Sequence, residues 1–170
     1  MVVACDLVRN TNNGITVGPE TKIACDRAIR LSDKDHETLI AVTAGETLDK
    51  TLDKKPIVMS DIMANYLLSV RPALSNGRLI RDNAWTFNTD GEMRALANLV
   101  SRQPSCSGII LAVKWWHAPR SWALCKYRLS KAGLQIPVSI SWCRSEASWL
   151  LIARELFAIP GNILRIIIHG

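Results

Sequence analysis

Metal and redox spacings are missing from this chain of 170 residues. Its five cysteines, Cys5, Cys25, Cys106, Cys125 and Cys143, are odd in number and far apart, and no CxxC pair occurs. That excludes a zinc ribbon and a dithiol redox motif. Most of them sit among apolar neighbours and read as small buried hydrophobes in a reducing compartment. Histidine is scarce, with three in all, and only His117 is well placed, so no metal is expected. There is no GxGxxG fingerprint and no nucleophile elbow around any serine. No apolar run approaches the roughly 18 residues that a membrane-spanning helix needs. Met1 to Asp6 meets an acid too early for a secretory leader. The expectation is a soluble, cytoplasmic chain. Internal repeats, low-complexity tracts and interdomain linkers are absent too, which points to a single domain over residues 1–170.

What is present is an ordinary globular composition, 48% hydrophobic and 21% charged, with a net charge of +6. The excess is uneven. From Lys114 onward the bases are Lys114, Arg120, Lys126, Arg128, Lys131, Arg144, Arg154 and Arg165, against Glu146 and Glu155. These bases are spread singly. They predict attraction for an anionic small molecule rather than for nucleic acid, whose binding usually shows a basic cluster.

Periodicity predicts alternating strands and helices. Strands are expected over Met1–Val8, Thr38–Val42, Arg78–Arg81, Ile109–Val113 and Leu134–Ser141. Helices are expected over Pro19–Leu31, Pro56–Val70, Thr89–Arg102 and Ala118–Lys131, and from a Ser145 cap onward. Gly133 is the expected stop of the helix before it. On the first helix Ile23, Ala24, Arg27, Ala28 and Leu31 recur at helical spacing. On the second, Ile62, Met63, Tyr66, Leu67 and Val70 share a face. Alternation of this kind implies an α/β protein: a three-layer domain with a five-stranded, mainly parallel sheet and helices on both faces.

In such a sheet the loops after each strand share one edge, where helix N-termini offer free N–H groups. Pooling them gathers Arg9 and Asn10 with the Asn-rich run to Gly14; Thr43, Gly45 and Glu46; Asp82, Asn88, Thr89 and Glu92; Lys114, Trp116, His117 and Arg120; and Trp142 with Arg144. The strand-to-helix stretch Gly108–Arg120 is the centre of the set. Each piece also has a plain structural reading. Thr89-x-x-Glu92 fits a capping box, with Thr89 accepting from a backbone N–H and Glu92 reaching back. One of Trp115 and Trp116 is expected in the core.

Read in order, these loops resemble the YdcF/SanA/ElyC-like family of bacterial proteins, over nearly the whole chain. The likeness rests on Asp26-Arg27-Ala28, Thr43-Ala44-Gly45-Glu46, Ser60-Asp61-Ile62-Met63-Ala64, Asn88-Thr89-Asp90-Gly91-Glu92, His117-Ala118-Pro119-Arg120 and Arg154-Glu155-Leu156. Glu46 departs from it, standing where the family usually has the second Gly of Ser-Gly-Gly. The resemblance implies a Rossmann-like fold, a ligand at the strand C-terminal edge, S-adenosylmethionine as one ligand associated with a relative, and envelope-related roles for others. No reaction is settled for the family.

Two functions stand side by side. In one, an enzyme acts on an anionic or nucleotide-like molecule, with His117 and Glu92 catalytic and Arg120, Asn88, Thr89, Thr43, Gly45, Asn10 and Lys114 binding the ligand. In the other, a non-catalytic module binds such a ligand. A membrane-peripheral role would rest on the apolar tail Ile163–Ile168, for which core or dimer packing is the simpler reading.

Overall fold

The computed structural model describes residues 2–3, 7–9, 15–43, 46–48, 56–82, 88–144, 150, 152–153 and 155. In chain order the strands are β1 (Val2–Val3), β2 (Leu7–Arg9), β3 (Ile15–Val17), β4 (Ile40–Thr43), β5 (Glu46–Leu48), β6 (Pro56–Val58), β7 (Leu79–Asp82), β8 (Ile109–Lys114) and β9 (Val138–Cys143). The helices are α1 (Pro19–Lys34), α2 (Met59–Val70), α3 (Thr89–Ser101) and α4 (Ala118–Lys131). The protein is a mixed α/β chain.

Five strands form one sheet in the order β7-β4-β1-β8-β9, and every neighbouring pair in it is parallel. The order turns back between β1 and β8. At such a switch point the loops leave toward opposite sides and open a crevice at the strand C-terminal ends. The loop after β8 therefore starts at that turning point.

The two faces of β8 meet different apolar clusters, although Ile110 on one of them is exposed. Ile109, Leu111 and Val113 pack with Met93, Leu96 and Val100 of α3 and Leu124, Cys125 and Leu129 of α4. Ala112 belongs instead to a second cluster, with Ala24, Cys25 and Ala28 of α1 and Met63 and Leu67 of α2. Alternate residues of a strand face opposite sides, so one strand serves both cores.

Helix ends follow local chemistry. Pro19 and Pro119 stand in the first turns of α1 and α4, where a missing N–H costs nothing. After α4, Gly133 takes a positive φ of 72°. Its N–H reaches Ser130 O at 3.0 Å, and that of Leu134 reaches Leu129 O at 2.9 Å. This is a Schellman ending, and a side chain with Cβ would strain it.

Several expectations are corrected. Met1–Val8 is not one strand: β1 enters the sheet, while β2 pairs antiparallel with β3 as a separate ribbon. Pro56–Val58 does not begin a helix but pairs antiparallel with Glu46–Leu48. Ile57 and Val58 are β-branched, and Pro56 can open a strand as readily as a helix. Glu46 thus lies in a strand, not a loop. The last sheet strand starts at Val138 and runs to Cys143, so Trp142 is a strand residue. Proline ends the extended stretch before it, and Pro137 O accepts from Ile109 N at 2.9 Å.

The buried face of α1 is also offset from the expected one. It carries Thr21, Ala24, Cys25, Ala28, Ile29 and Ser32, while Ile23 and Arg27 face outward. Small hydroxyl and thiol side chains fit close to a sheet that longer ones would push away. On α2, Val70 is exposed and Ala64 takes its place inside. Neither Trp115 nor Trp116 is fully buried. Cys25, Cys125 and Cys143 are buried free thiols; burial pushes the Cys25 thiol up to about 12 and that of Cys125 to about 11. No helix among the described residues is long and apolar enough to cross a membrane. The tail Ile163–Ile168, Ser145 and Asn10–Gly14 lie outside the described residues.

Because Leu111 is wholly enclosed where the sheet meets α3 and α4, Leu111→Ala should cost about 2–5 kcal/mol in urea unfolding. Leu150→Ala, at a site 83% exposed, should stay within about 0.5 kcal/mol of the parent.

Candidate functional site

The connection from β8 to α4 is only Trp115–His117. Trp115 N is tied to Cys143 O at 3.1 Å, and His117 N closes a turn on Lys114 O at 3.1 Å. So short a link fixes His117 at the sheet edge, as the residue capping α4. It is 7% exposed, and the Trp116 ring stands edge-on to it at 5.5 Å between centroids.

Both imidazole nitrogens have partners. Nδ1 lies 3.1 Å from Glu155 Oε2, and Nε2 lies 3.3 Å from Thr89 Oγ1. Arg120, one turn further along α4, donates through Nη1 to both Glu155 oxygens at 3.1 and 3.2 Å. One buried carboxylate thus holds a His and an Arg. Burial works to raise the Glu155 pKa, but the hydrogen bond and electrostatic pull of His117, then of Arg120, overcome it and bring it down to about 2. An ionised carboxylate only accepts hydrogen bonds, so Nδ1 carries a proton toward Glu155. Nε2 is then the nitrogen that faces the Thr89 hydroxyl. A carboxylate behind one ring nitrogen and a hydroxyl before the other is a geometry that a base-and-orienter pair would require.

Thr89 is free for that contact because it does not cap its helix. Asn88 does: its Oδ1 accepts from Gly91 N at 2.9 Å. The expected capping box is therefore corrected by one position. Thr89, first residue of α3, is buried and points its hydroxyl at His117. Glu92, one turn on, does not reach back and takes no hydrogen bond from a described residue. Burial pushes its carboxyl up to about 7, against a smaller opposing pull from Arg120. Glu92 is a group that can hold or release a proton near neutrality. Asp90 of the same turn pairs with Arg128, which donates through Nε at 2.7 Å and also through Nη2. This pair clamps α3 to α4.

Of the expected site residues, His117, Glu92, Thr89 and Arg120 come together, and Asn88 stands beside them as a cap. Lys114 does not join as a free cation. It ends β8, is buried, and forms an ion pair with Glu20 in the first turn of α1; its ammonium also lies 5.2 Å from the centre of the Trp116 ring. Thr43 is the buried last residue of β4. Gly45 and Asn10 lie outside the described residues. Glu155, which organises the centre, was not among the expected site residues. Its signal was only the segment Arg154-Glu155-Leu156. Among the described residues no group of three or more His, Cys, Asp or Glu side chains gathers to hold a metal.

No family model matches the chain, and neither a curated protein nor a solved structure matches it.

The two carboxyls predict opposite pH behaviour. Glu155 is depressed below its ordinary value, so its contribution is complete above about 4.5 and is lost as pH falls through about 2. Glu155→Gln should cost about 3 kcal/mol at neutral pH, since Arg120 keeps a buried charge without its counterion, and should flatten the acid limb of stability. Glu92 is raised, so its contribution is complete below about 4.5 and is lost as pH rises through about 7. Glu92→Gln should therefore match the parent at pH 4 and exceed it at pH 8 by on the order of 1–3 kcal/mol in chemical denaturation.

Proposed function

We propose that the chain is a Rossmann-like, three-layer domain of the YdcF type that binds an anionic, nucleotide-like small molecule at the C-terminal edge of its sheet, where His117 exchanges a proton with it. The observation that carries this reading is the imidazole held at both nitrogens, by Glu155 behind and Thr89 in front, at the start of α4. Further support comes from the loop's position at the turning point of the strand order and from the raised carboxyl of Glu92. In this reading Glu155 orients His117, and Nε2 takes or gives the proton. Glu92 is the second acid/base, and the N-termini of α3 and α4 with Arg120 stabilise negative charge on the ligand. S-adenosylmethionine is one candidate within the ligand class, and an envelope precursor is another. The protein would act on its ligand in the cytoplasm.

A specific observation also favours a non-catalytic binding module. Glu155 occupies Nδ1 of His117 and Nη1 of Arg120, so the imidazole and the guanidinium serve the protein's own packing before any ligand arrives.

A thermal-shift panel of nucleotides, sugar phosphates and S-adenosylmethionine tests the proposal. A true ligand at a hundred times its Kd stabilises by about 2.7 kcal/mol. Where turnover of that ligand is detected, His117→Ala should lower kcat by about 100-fold or more, and Glu92→Gln should move the pH profile. Unchanged turnover in both variants removes the catalytic assignment, and binding with no turnover supports the module.

A further inference from the structure

A second groove, sharing no residue with the His117 centre, lies between the outward face of α1 and the outermost strand β9. It is a groove of about 580 Å³, bordered by Arg27 and Arg30 of α1, by Ser141 and Trp142 of β9, and by Arg144 just beyond. That volume suits one small ligand.

Its charge is unbalanced in a specific way. Asp26, the acid on its wall among the described residues, is already answered: Lys22 Nζ donates to it at 2.8 Å and Tyr66 Oη at 2.6 Å, and Arg30 adds a weaker electrostatic pull. Arg30 and Arg144 have no ion-pair partner among the described residues. Arg27 is held in place by its Nε, which donates to Ser141 Oγ at 2.6 Å. Its two terminal nitrogens are left without a partner among the described residues. A guanidinium anchored through Nε presents a rigid fork that suits a phosphate. The large flat side chain of Trp142 is 61% exposed on the same wall, and Ile23 adds an exposed apolar edge. An exposed indole beside guanidinium groups offers a stacking surface for a planar ring next to a place for its anion.

We propose that this groove binds a nucleoside monophosphate, the phosphate held by Arg27, Arg30 and Arg144 and the base stacked on Trp142. The site is independent of the His117 centre and uses none of its residues. Ring and phosphate must both be present, because the groove supplies a separate feature for each.

The test is a titration of the full chain with AMP, adenosine and inorganic phosphate, followed by tryptophan fluorescence and by calorimetry. AMP should quench fluorescence, and adenosine and phosphate should each bind at least tenfold more weakly. Arg30→Ala/Arg144→Ala, at two exposed positions, should weaken AMP at least tenfold with an unchanged Tm. Trp142→Phe should remove the quench while calorimetry still detects binding. His117→Ala should leave the AMP quench intact, which separates this site from the proposed one. The inference is overturned if AMP does not bind the parent chain, if Arg30→Ala/Arg144→Ala binds it with the parent Kd, or if the quench survives Trp142→Phe.

Discussion

The carboxylate of Glu155 is the point on which the candidate centre depends. It is nearly inaccessible to solvent and lies within hydrogen-bond reach of both His117 and Arg120. Burying a carboxylate is unfavourable by several kcal/mol unless charge and hydrogen bonds are returned to it. Here the return comes from two side chains one turn apart on the same helix. The arrangement costs freedom as well as charge: with Nδ1 committed to Glu155, the ring cannot rotate, and Nε2 must face Thr89. The orientation of the histidine is thus set from behind, by a residue 38 positions later in the chain.

That interaction works only because the backbone brings its parts to one place. The link between β8 and α4 has no slack, so His117 cannot drift from the sheet edge. The strand itself is immobilised by two apolar clusters that meet across it. Thr89 arrives from another direction, at the first turn of α3, and Asn88 keeps it there by taking over the capping role. The Asp90–Arg128 pair then ties α3 to α4 one layer further out. The sequence of dependence runs from packing of β8, to the short turn, to the capped helix, to the buried carboxylate.

Much of this frame can be read from residues alone, where local chemistry is decisive. The unbroken apolar run Ile109–Val113 announces a strand covered on both sides, and Gly133 announces the end of α4. Reading falters where two local rules compete. Pro56 is acceptable at the start of a helix and at the start of a strand, and pairing with Glu46–Leu48, eight or more residues away, decides for the strand. Asn88 and Thr89 are both good caps, and only the position of His117 across the gap selects between them. The inner face of α1 escapes a count of hydrophobic residues because Thr21, Cys25 and Ser32 are buried while Ile23 is not. Glu155 shows in the sequence only as part of the segment Arg154-Glu155-Leu156, and its role appears when residues 35 and 38 positions apart become neighbours. Long-range electrostatics of that kind leaves no periodic trace in a sequence.

The treatment of positive charge differs sharply between the two regions of the molecule. Around His117 the protein supplies its own anion, and Lys114 is likewise met by Glu20; these cations are spent on holding β8, α1 and α4 in register. Along α1 and β9 the pattern is reversed. The nearby acid takes its hydrogen bonds from Lys22 and Tyr66, and the guanidinium groups have no ion pair among the described residues beside an exposed indole. Like charges on one wall repel, and here Arg30 is offset in part by the pull of Asp26 while Arg27 is held by Ser141. Positive charge therefore divides in the fold into a part met by the protein's own acids and a part along α1 and β9, where Arg30 and Arg144 have no ion pair among the described residues.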